Sequence, residues 1–386
     1  MLVDALYIAL IVAVTFELAS NGYVLLAIWH VRRFRRQADH RGAGGPPVTV
    51  LVPICGADAG LYRNLRTLCC QDYRDYQLVL GVRDPADPAI AIVERIIRDF
   101  PERDIALVVE ARVVGANLKI SNLINMYTRA KHPVLVIVDS DMRVSPDYLS
   151  TIVSPLEDPG VGAVTCLYKG TPAGGLPSVL GSMFINEWFL PSVLVAASLQ
   201  KFTFCFGATM AVRRDLFERV GGFARLGDYL ADDYMLGKLV SDQGYRVHLS
   251  SYVVENVIAD QSFKALFLRE LRWARTIRAV QPFGYALSFV MYSIPLAILA
   301  GFLDDVTLDT DFFEFGFVLF AIALRLALHF IARNVLEVRR GPAPWLVPVR
   351  DLLSFLVWVI GLLGRGVVWR GRAFSVDSEG FLVAKG

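Results

Sequence analysis

The sequence places acidic side chains directly after strongly apolar segments. Asp139 and Asp141 end the segment VLVIVDSD, and Asp84 follows YQLVLGV closely. Two carboxylates this close repel each other, and proteins usually tolerate the repulsion where a divalent cation lies beside them. An Asp after a strand is also a common turn former, an alternative that is stronger for the single Asp84 than for the D-x-D pair. The chain has no Walker-type glycine loop, so a divalent ion is the main means of holding a phosphate.

Two later segments could complete a reaction centre. Asp232 and Asp233 begin the helical pattern DDYMLGKLVSD, where acids suit the helix dipole and where one carboxylate is also a candidate general base. The segment RELRW supplies Arg269, Arg272 and Trp273. The two arginines are three residues apart and share a helix face, which suits either anionic lipid headgroups or a pyrophosphate.

The elements that must position these residues follow from the apolar pattern. Continuous apolar, β-branched runs predict strands that are buried on both faces, as in a mostly parallel sheet. Helical patterns lie between several of the runs, which predicts a doubly wound α/β domain with its ligands at the carboxyl ends of the strands. The predicted strands cover residues 48–55, 76–82, 104–111, 134–139 and 161–168, and the predicted helices cover 60–70, 88–100 and 118–130.

The composition also indicates membrane segments. The chain is 55% hydrophobic, with a mean hydropathy of +0.47. Leu2–Trp29 is long enough to span a bilayer and lacks the features of a cleaved signal peptide. The arginines that follow it favour a cytoplasmic location for the middle region of the chain. Arg325 lies inside a later segment, where a charge must pair with another segment, meet a lipid headgroup or snorkel. The arginines are Arg32, Arg33, Arg35 and Arg36, and the later segments are Pro282–Leu303, Phe312–Ala332 and about Leu346–Val368, the last either spanning or re-entrant.

Charge and cysteine content narrow the possible partners and the compartment. The net charge of +2 argues against a nucleic-acid partner. The five cysteines are odd in number and lack C-x-x-C spacing, which favours a reducing compartment.

The order of these motifs resembles the family-2 glycosyltransferases, specifically their ceramide glucosyltransferase-like branch. The resemblance covers nearly the whole chain and implies a glycosyltransferase A type fold, with a mostly parallel nucleotide-sugar-binding sheet and flanking transmembrane helices. The D-x-D pair departs from the animal ceramide enzymes, which have Gly in place of the second Asp. The segments that carry the resemblance are NLRTLCCQDYRDYQLVLGVRDPADPAI, VVGANLKISNL, DSDMRVSPDYL, YLADDYMLGKLVSDQGYRV and WRGRAF.

The resemblance implies a role for each matching residue. Asp233 corresponds to the catalytic base, and Asp139 and Asp141 correspond to the pair that binds Mg²⁺ or Mn²⁺. The positions that correspond to substrate-binding residues are Asp84, Lys119, Asp139, Asp232, Arg269, Arg272 and Trp273.

The expected activity is an inverting transfer from a UDP-sugar, UDP-GlcNAc or UDP-glucose, to the hydroxyl group of a membrane lipid. A hopanoid polyol is the first expectation for the acceptor, because the chain also resembles bacterial hopanoid-biosynthesis glycosyltransferases, and ceramide is the alternative. A processive polysaccharide synthase usually needs more membrane helices than this chain offers, and a non-catalytic lipid-binding protein would not need the acids.

The expected organisation is that of a multi-pass protein of the inner membrane with a cytoplasmic catalytic domain. The predicted parts are a transmembrane anchor (1–30), a basic linker (31–47), the glycosyltransferase domain (48–280) with an interfacial helix (176–202), transmembrane or re-entrant segments (281–370) and a tail (371–386).

Overall fold

The structure is a computed structural model that describes residues 2–34, 45–58, 60–308, 311–338, 342–369, 372–377 and 381–384. Most of the predicted linker and part of the predicted tail lie outside these ranges, as do Arg35 and Arg36. The chain divides into two compact units. A helical unit comprises Met1–Arg36, Gly174–Gln200 and Asp260–Arg372, and a sheet unit comprises Gln37–Ala173, Lys201–Ala259 and Ala373–Gly386.

The described elements alternate between strand and helix in the first half of the chain and are mainly helical near its end. The helices are α1 (Leu2–Phe34), α2 (Leu61–Cys69), α3 (Ala89–Asp99), α4 (Leu118–Tyr127), α5 (Tyr148–Val153), α6 (Leu176–Phe184), α7 (Leu190–Leu199), α8 (Arg214–Arg219), α9 (Asp232–Asp242), α10 (Phe263–Val280), α11 (Pro282–Leu287), α12 (Ser293–Leu308), α13 (Asp311–Val335) and α14 (Leu346–Gly361). The strands are β1 (Val48–Ile54), β2 (Tyr76–Val82), β3 (Asp104–Val109), β4 (Val134–Ile137), β5 (Met142–Arg143), β6 (Val161–Pro172), β7 (Met210–Arg213), β8 (Arg246–Ile258), β9 (Gly366–Trp369), β10 (Arg372–Val376) and β11 (Leu382–Ala384).

The sheet unit contains an eight-stranded sheet with the order β3-β2-β1-β4-β7-β6-β8-β5. Strands β3, β2, β1 and β4 are parallel, with Val48 opposite both Tyr76 and Val134. Strand β7 runs antiparallel between β4 and β6, and β5 runs antiparallel to β8. The predicted fold class is therefore confirmed, and the sequence patterns did not predict β5, β7 and β8.

Burial on both faces explains the continuous apolar runs. On β1, Val50 and Val52 pack in a core with residues of α2 and α3, whereas Leu51 packs on the other face with residues of α4 and α9. A strand covered on both faces gains from an apolar residue at every position, so its sequence does not alternate. Asp139 follows β4 and therefore lies where the parallel strands end, at the carboxyl edge of the sheet.

In the helical unit, α1 packs on α12 and α13. Among the residues that the structure describes, three segments are long and apolar enough to cross a membrane: Asp4–Phe34, Leu176–Leu199 and Phe315–Val335. The predicted segment Pro282–Leu303 is divided between two helical parts that meet at a bend of 67°. Helix α14 has 16 residues and ends at Gly361, and β9 begins at Gly366.

Candidate active site

Four charged side chains meet at the carboxyl edge of the sheet. The Lys119 ammonium lies 2.8 Å from Asp139 Oδ1 and 3.5 Å from Asp232 Oδ2. Asp233 completes the group, and its Oδ2 accepts a hydrogen bond of 2.7 Å from the Gly207 N–H. A Cβ built on Gly207 would lie 3.2 Å from Asp139 Oδ2, 3.3 Å from Lys119 Nζ and 3.4 Å from Asp233 Oδ2. The fold thus brings predicted site residues from three separate parts of the sequence around one glycine.

A buried asparagine fixes the position of Lys119. Asn117 caps α4, since its Oδ1 accepts hydrogen bonds from the backbone N–H groups of Lys119 and Ile120 at 2.9 and 3.1 Å. Its Nδ2 donates to Tyr229 O at 2.8 Å and to Asp232 Oδ1 at 3.3 Å. One side chain therefore joins the start of α4 to the start of α9. The sequence prediction missed Asn117, although an Asn directly before a helical pattern is a known cap signal.

The backbone holds Asp233 in one orientation. Asp233 Oδ1 accepts a hydrogen bond of 2.8 Å from the Tyr234 N–H, while Oδ2 is bound by Gly207. Gly237 lies one turn further along α9, and a Cβ there would fall 2.4 Å from Phe204 Cα, so the helix packs directly on the segment that leads to Gly207. Each carboxylate oxygen has two lone pairs, so Asp233 keeps the capacity to accept a proton. A single glycine within FCFGATM gave no signal from which Gly207 could have been predicted.

Burial and neighbouring charges shift the pKa values of Asp233 and Lys119. Burial raises the pKa of Asp233 to about 6, and the adjacent Asp232 adds to the rise, whereas Lys119 opposes it. Burial by itself would lower the pKa of Lys119, but the charges of the three carboxylates outweigh burial and raise that pKa above its usual range. Lys119 is therefore a cation at neutral pH, and Asp233 is an ionised carboxylate with a pKa close enough to neutral pH for general-base work.

The D-x-D pair offers oxygen ligands that suit Mg²⁺ or Mn²⁺. The turn between Asp139 and Asp141 is held by Asn64, whose Nδ2 donates to Ser140 O at 3.2 Å. Within the described ranges, no group of three or more His, Cys, Asp or Glu side chains is arranged to hold a metal ion. Mg²⁺ is commonly bound by one or two carboxylates, with water and substrate phosphates as its other ligands. The residues present therefore fit a cation that is bound together with a diphosphate.

Asp84 lies at the end of β2, in a turn that also involves Asp87. Asp84 Oδ1 accepts a hydrogen bond of 2.9 Å from the Ala86 N–H, which is the turn-forming role that its position also favoured. Asp87 Oδ2 accepts a bond of 2.8 Å from the Gly56 N–H and so ties this turn to the end of β1. The sequence prediction did not single out Asp87.

The predicted arginines and tryptophan lie on α10, in the helical unit. Arg269 forms an ion pair with Asp260 at 2.8 Å, and its guanidinium lies 4.9 Å from the centroid of the Trp273 ring. Trp273 stacks on Phe184 with ring centroids 5.9 Å apart. Arg269 and Trp273 are thus held rigidly on one helix, and Arg272 belongs to the same helix.

Replacement of Gly207 by Ala tests the arrangement around this glycine. The added methyl group would lie 3.2–3.4 Å from three charged atoms, which is tight and leaves the charges poorly solvated. We expect the free energy of unfolding to fall by about 1–3 kcal/mol, the usual cost of overpacking. We also expect kcat/KM for transfer to fall about tenfold or more, because the charged groups of the site are displaced. Measurement of kcat/KM together with Tm checks this. If Gly207→Ala loses activity because it no longer folds, the expected local effect is contradicted.

Comparison with known proteins is consistent with the fold and the motifs. A sequence model of glycosyl transferase family 21 matches residues 12–382. A ceramide glucosyltransferase from Komagataella phaffii is 31% identical over 86% of this chain and 82% of its own length, and ceramide glucosyltransferase 1 from Caenorhabditis elegans is 23% identical over 87% and 72%.

Among solved structures, the mannosyltransferase PcManGT from Pyrobaculum calidifontis, in complex with GDP-Man and Mn²⁺, superposes with a TM-score of 0.57. It is 20% identical, and the match covers 92% of this chain and 99% of the mannosyltransferase. At that identity the likeness is one of fold, the glycosyltransferase A type with its nucleotide-sugar-binding sheet. The match of the family sequence model over most of the chain goes further: this chain belongs to glycosyltransferase family 21 and is a glycosyltransferase.

Proposed function

We propose that the chain transfers a hexose from a UDP-sugar to the hydroxyl group of a membrane lipid. The observation that carries this proposal is the Lys119 ammonium enclosed by carboxylates, with Asp233 beside it at a raised pKa. The names of the two relatives, both ceramide glucosyltransferases, support a sugar donor and a lipid acceptor.

Asp233 acts as the base in this proposal. It takes the proton of the acceptor hydroxyl while the acceptor oxygen forms a bond to the anomeric carbon and the bond to the UDP oxygen breaks. Attack from the face opposite the leaving diphosphate gives inversion, by analogy with the inverting glycosidases. Its two backbone hydrogen bonds keep the carboxylate in place, as in-line attack requires.

The leaving diphosphate gains negative charge as its bond to the sugar breaks, so the site must offer positive charge. We assign Lys119 to this diphosphate because it is the buried cation next to Asp139. Asp139 and Asp141 would hold Mg²⁺ or Mn²⁺, which would supply further positive charge to the phosphates.

The remaining predicted residues have roles that rest on the resemblance. Asp84 is assigned to the nucleoside, and Asp232 is assigned to substrate binding through its contact with Lys119. The rigid pair of Arg269 and Trp273, with Arg272 on the same helix, is assigned to the diphosphate and the acceptor.

The proposed location is the inner membrane, with the catalytic sheet on the cytoplasmic side. Three apolar helices of sufficient length within the described part of the chain support a multi-pass arrangement. Arg32 and Arg33 at the end of α1 support the orientation, since such residues concentrate on the cytoplasmic side.

Two acceptors are supported by different observations. The resemblance to hopanoid-biosynthesis enzymes favours a hopanoid polyol, and the names of the relatives favour ceramide. The test is a transfer assay in nanodiscs with Mn²⁺, in which radiolabelled UDP-GlcNAc and UDP-glucose are each combined with hopanoid polyol and with ceramide. A labelled lipid from one combination, lost when the metal is chelated, identifies donor and acceptor. No labelled lipid from any of the four would contradict both acceptors.

Replacement of Lys119 by Met should move the pH dependence of transfer. Lys119 lowers the pKa of Asp233, so its loss raises that pKa, and the base becomes protonated at a higher pH. In the wild type, kcat/KM should fall as the pH drops through about 6, and in Lys119→Met the fall should begin at a higher pH. Pre-steady-state or steady-state kcat/KM profiles measure this, with the exposed Lys131→Met as the matched control. An unchanged acid limb in Lys119→Met would show that Lys119 does not act on the base.

A further inference from the structure

A second group of polar side chains is buried in the helical unit, around Arg325 of α13. Arg325 is 2% exposed, and its Nε donates to Asp351 Oδ1 of α14 at 3.1 Å. Its guanidinium carbon lies 3.2 Å from the centroid of the Trp188 ring. Ionisable residues among apolar helices are costly and usually mark a functional position.

A break in the helix that carries Trp188 exposes a backbone carbonyl to this group. Residues Ile185–Phe189 form a π-helical turn between α6 and α7, and such turns are frequent at functional sites. Pro191 has no N–H to donate to the carbonyl of Glu187 four residues earlier. That carbonyl instead accepts from Arg325 Nη1 at 3.4 Å, and Glu187 Oε1 lies 2.8 Å from His329 Nδ1.

Several polar atoms in this group have no hydrogen-bond partner among the described residues. Trp188, His329 and Asp351 are 3%, 1% and 0% exposed. Native proteins leave few such atoms, since an unpaired buried polar group keeps its full desolvation cost. The atoms are Trp188 Nε1, His329 Nε2, Asp351 Oδ2 and the hydroxyl oxygen of Tyr23, a residue of α1 that interacts electrostatically with Arg325.

The unpaired atoms are a mixture of donors and acceptors. Trp188 Nε1 can only donate, and Asp351 Oδ2 can only accept when ionised. His329 Nδ1 is hydrogen-bonded to the Glu187 carboxylate, and Nε2 is the ring nitrogen without a partner among the described residues. An anion would face the acceptor Asp351 Oδ2, and a metal cation could not accept a hydrogen bond from Trp188 Nε1. A hydroxyl group both donates and accepts, so it matches the set.

We propose that this group, defined by Tyr23, Trp188, His329 and Asp351 around Arg325, is a binding site for uncharged hydroxyl groups within the helical unit. The charge of Arg325 is already balanced by Asp351, which favours a neutral ligand. The hydroxyl oxygen belongs either to buried water or to the hydroxyl end of a membrane lipid. Both sources have the same hydrogen-bond chemistry, and experiment separates them.

The sign of a stability change tests the site. Tyr23→Phe deletes one unpaired polar atom and keeps the ring in place, whereas a change at Trp188 would also remove buried ring volume and the contact with Arg325. If a hydroxyl ligand satisfies the Tyr23 oxygen, Tyr23→Phe should lower Tm by about 1–2 °C, as expected for one lost hydrogen bond in a chain of this size. If the Tyr23 oxygen is unsatisfied, its removal should leave Tm unchanged or raise it, because a desolvated polar group disappears.

Two further tyrosines calibrate the measurement. Tyr7 lies on the same helix as Tyr23 and is 42% exposed, so Tyr7→Phe should have no effect. The Tyr285 hydroxyl donates to Trp358 O at 2.8 Å, so Tyr285→Phe should lower Tm in every condition.

Measurement in two conditions separates the sources. The full chain is compared in delipidated dodecyl maltoside micelles and in the same micelles with added dioleoylglycerol, an uncharged lipid with one free hydroxyl. A lower Tm for Tyr23→Phe in both conditions assigns the oxygen to water, and a lower Tm only with dioleoylglycerol assigns it to lipid. An unchanged or higher Tm for Tyr23→Phe in both conditions would overturn the proposal.

Discussion

Replacement of Asp233 by Asn is expected to lower kcat for sugar transfer by about 10²–10⁴-fold, the usual contribution of a general base. The amide has almost the same shape and its oxygen can still accept from the Gly207 N–H, whereas the bond from the Tyr234 N–H is lost, so the fold should be kept at a modest cost in stability. It cannot take the proton of the acceptor hydroxyl. Since binding of the UDP-sugar does not require a base, the dissociation constant of the donor should change little. Single-turnover transfer measures the loss, and calorimetry of UDP-sugar binding measures the donor affinity.

The control for Asp233→Asn is Asp242→Asn. Asp242 lies at the other end of α9, is exposed and pairs with Lys238 at 2.8 Å, so this change removes a charge from the same helix without touching the site. Transfer by Asp242→Asn should stay near the wild-type rate. Retention of wild-type kcat by Asp233→Asn would remove Asp233 from the chemistry, and a parallel loss of donor binding would point to a structural effect.

Replacement of Glu270 by Gln is expected to lower the free energy of unfolding by about 3–5 kcal/mol, the usual cost of leaving one partner of a buried ion pair unpaired. Glu270 accepts two hydrogen bonds from Arg350, of 2.9 and 2.7 Å, and both side chains are almost completely buried. Glu270 lies between Arg269 and Arg272 on α10. The ion pair therefore also fixes which face of α10 the arginines occupy, and its loss should weaken transfer as well as stability. Chemical denaturation in detergent measures the stability change.

Two variants show whether the cost comes from an unpaired charge. Glu270→Leu combined with Arg350→Met removes both charges, so it should be less destabilised than Glu270→Gln alone. Asp242→Asn breaks an exposed pair, which contributes little, and should change stability by less than about 1 kcal/mol. Equal losses in Glu270→Gln and in the double variant would mean that packing, and not the ion pair, carries the effect.

Sequence patterns predicted the parallel part of the sheet because three of its four strands are buried on both faces, while the edge strand β3 is still a continuous apolar run. Strands β1, β2 and β4 have no exposed residue, so each is a continuous apolar run. Strand β7 was missed because its four residues, MAVR, include a single β-branched residue and end in an arginine, so they do not form a continuous apolar run. Strand β8 is partly buried at many positions, and its serines interrupt the apolar pattern.

The acids of the site could be predicted, but the contacts that hold them could not. Asp139, Asp232 and Asp233 lie beside apolar or helical patterns that residue types alone reveal. The Asn117 side chain reaches a residue 115 positions away, and no local pattern encodes such a contact. The sequence left three possibilities for Arg325: pairing with another segment, contact with a lipid headgroup, or snorkelling. The fold shows pairing with Asp351 of α14, a partner that a hydropathy pattern cannot identify.

The anomeric configuration of the glycolipid product tests the central claim most directly. UDP-hexoses carry the sugar in the α configuration, and a single base, Asp233, that activates the acceptor on the opposite face must give a β-linked product. Proton NMR of the purified lipid product reads the configuration from the anomeric coupling. A β-linked hexose is the predicted result. An α-linked hexose would contradict inverting transfer and would require a different role for the carboxylates around Lys119.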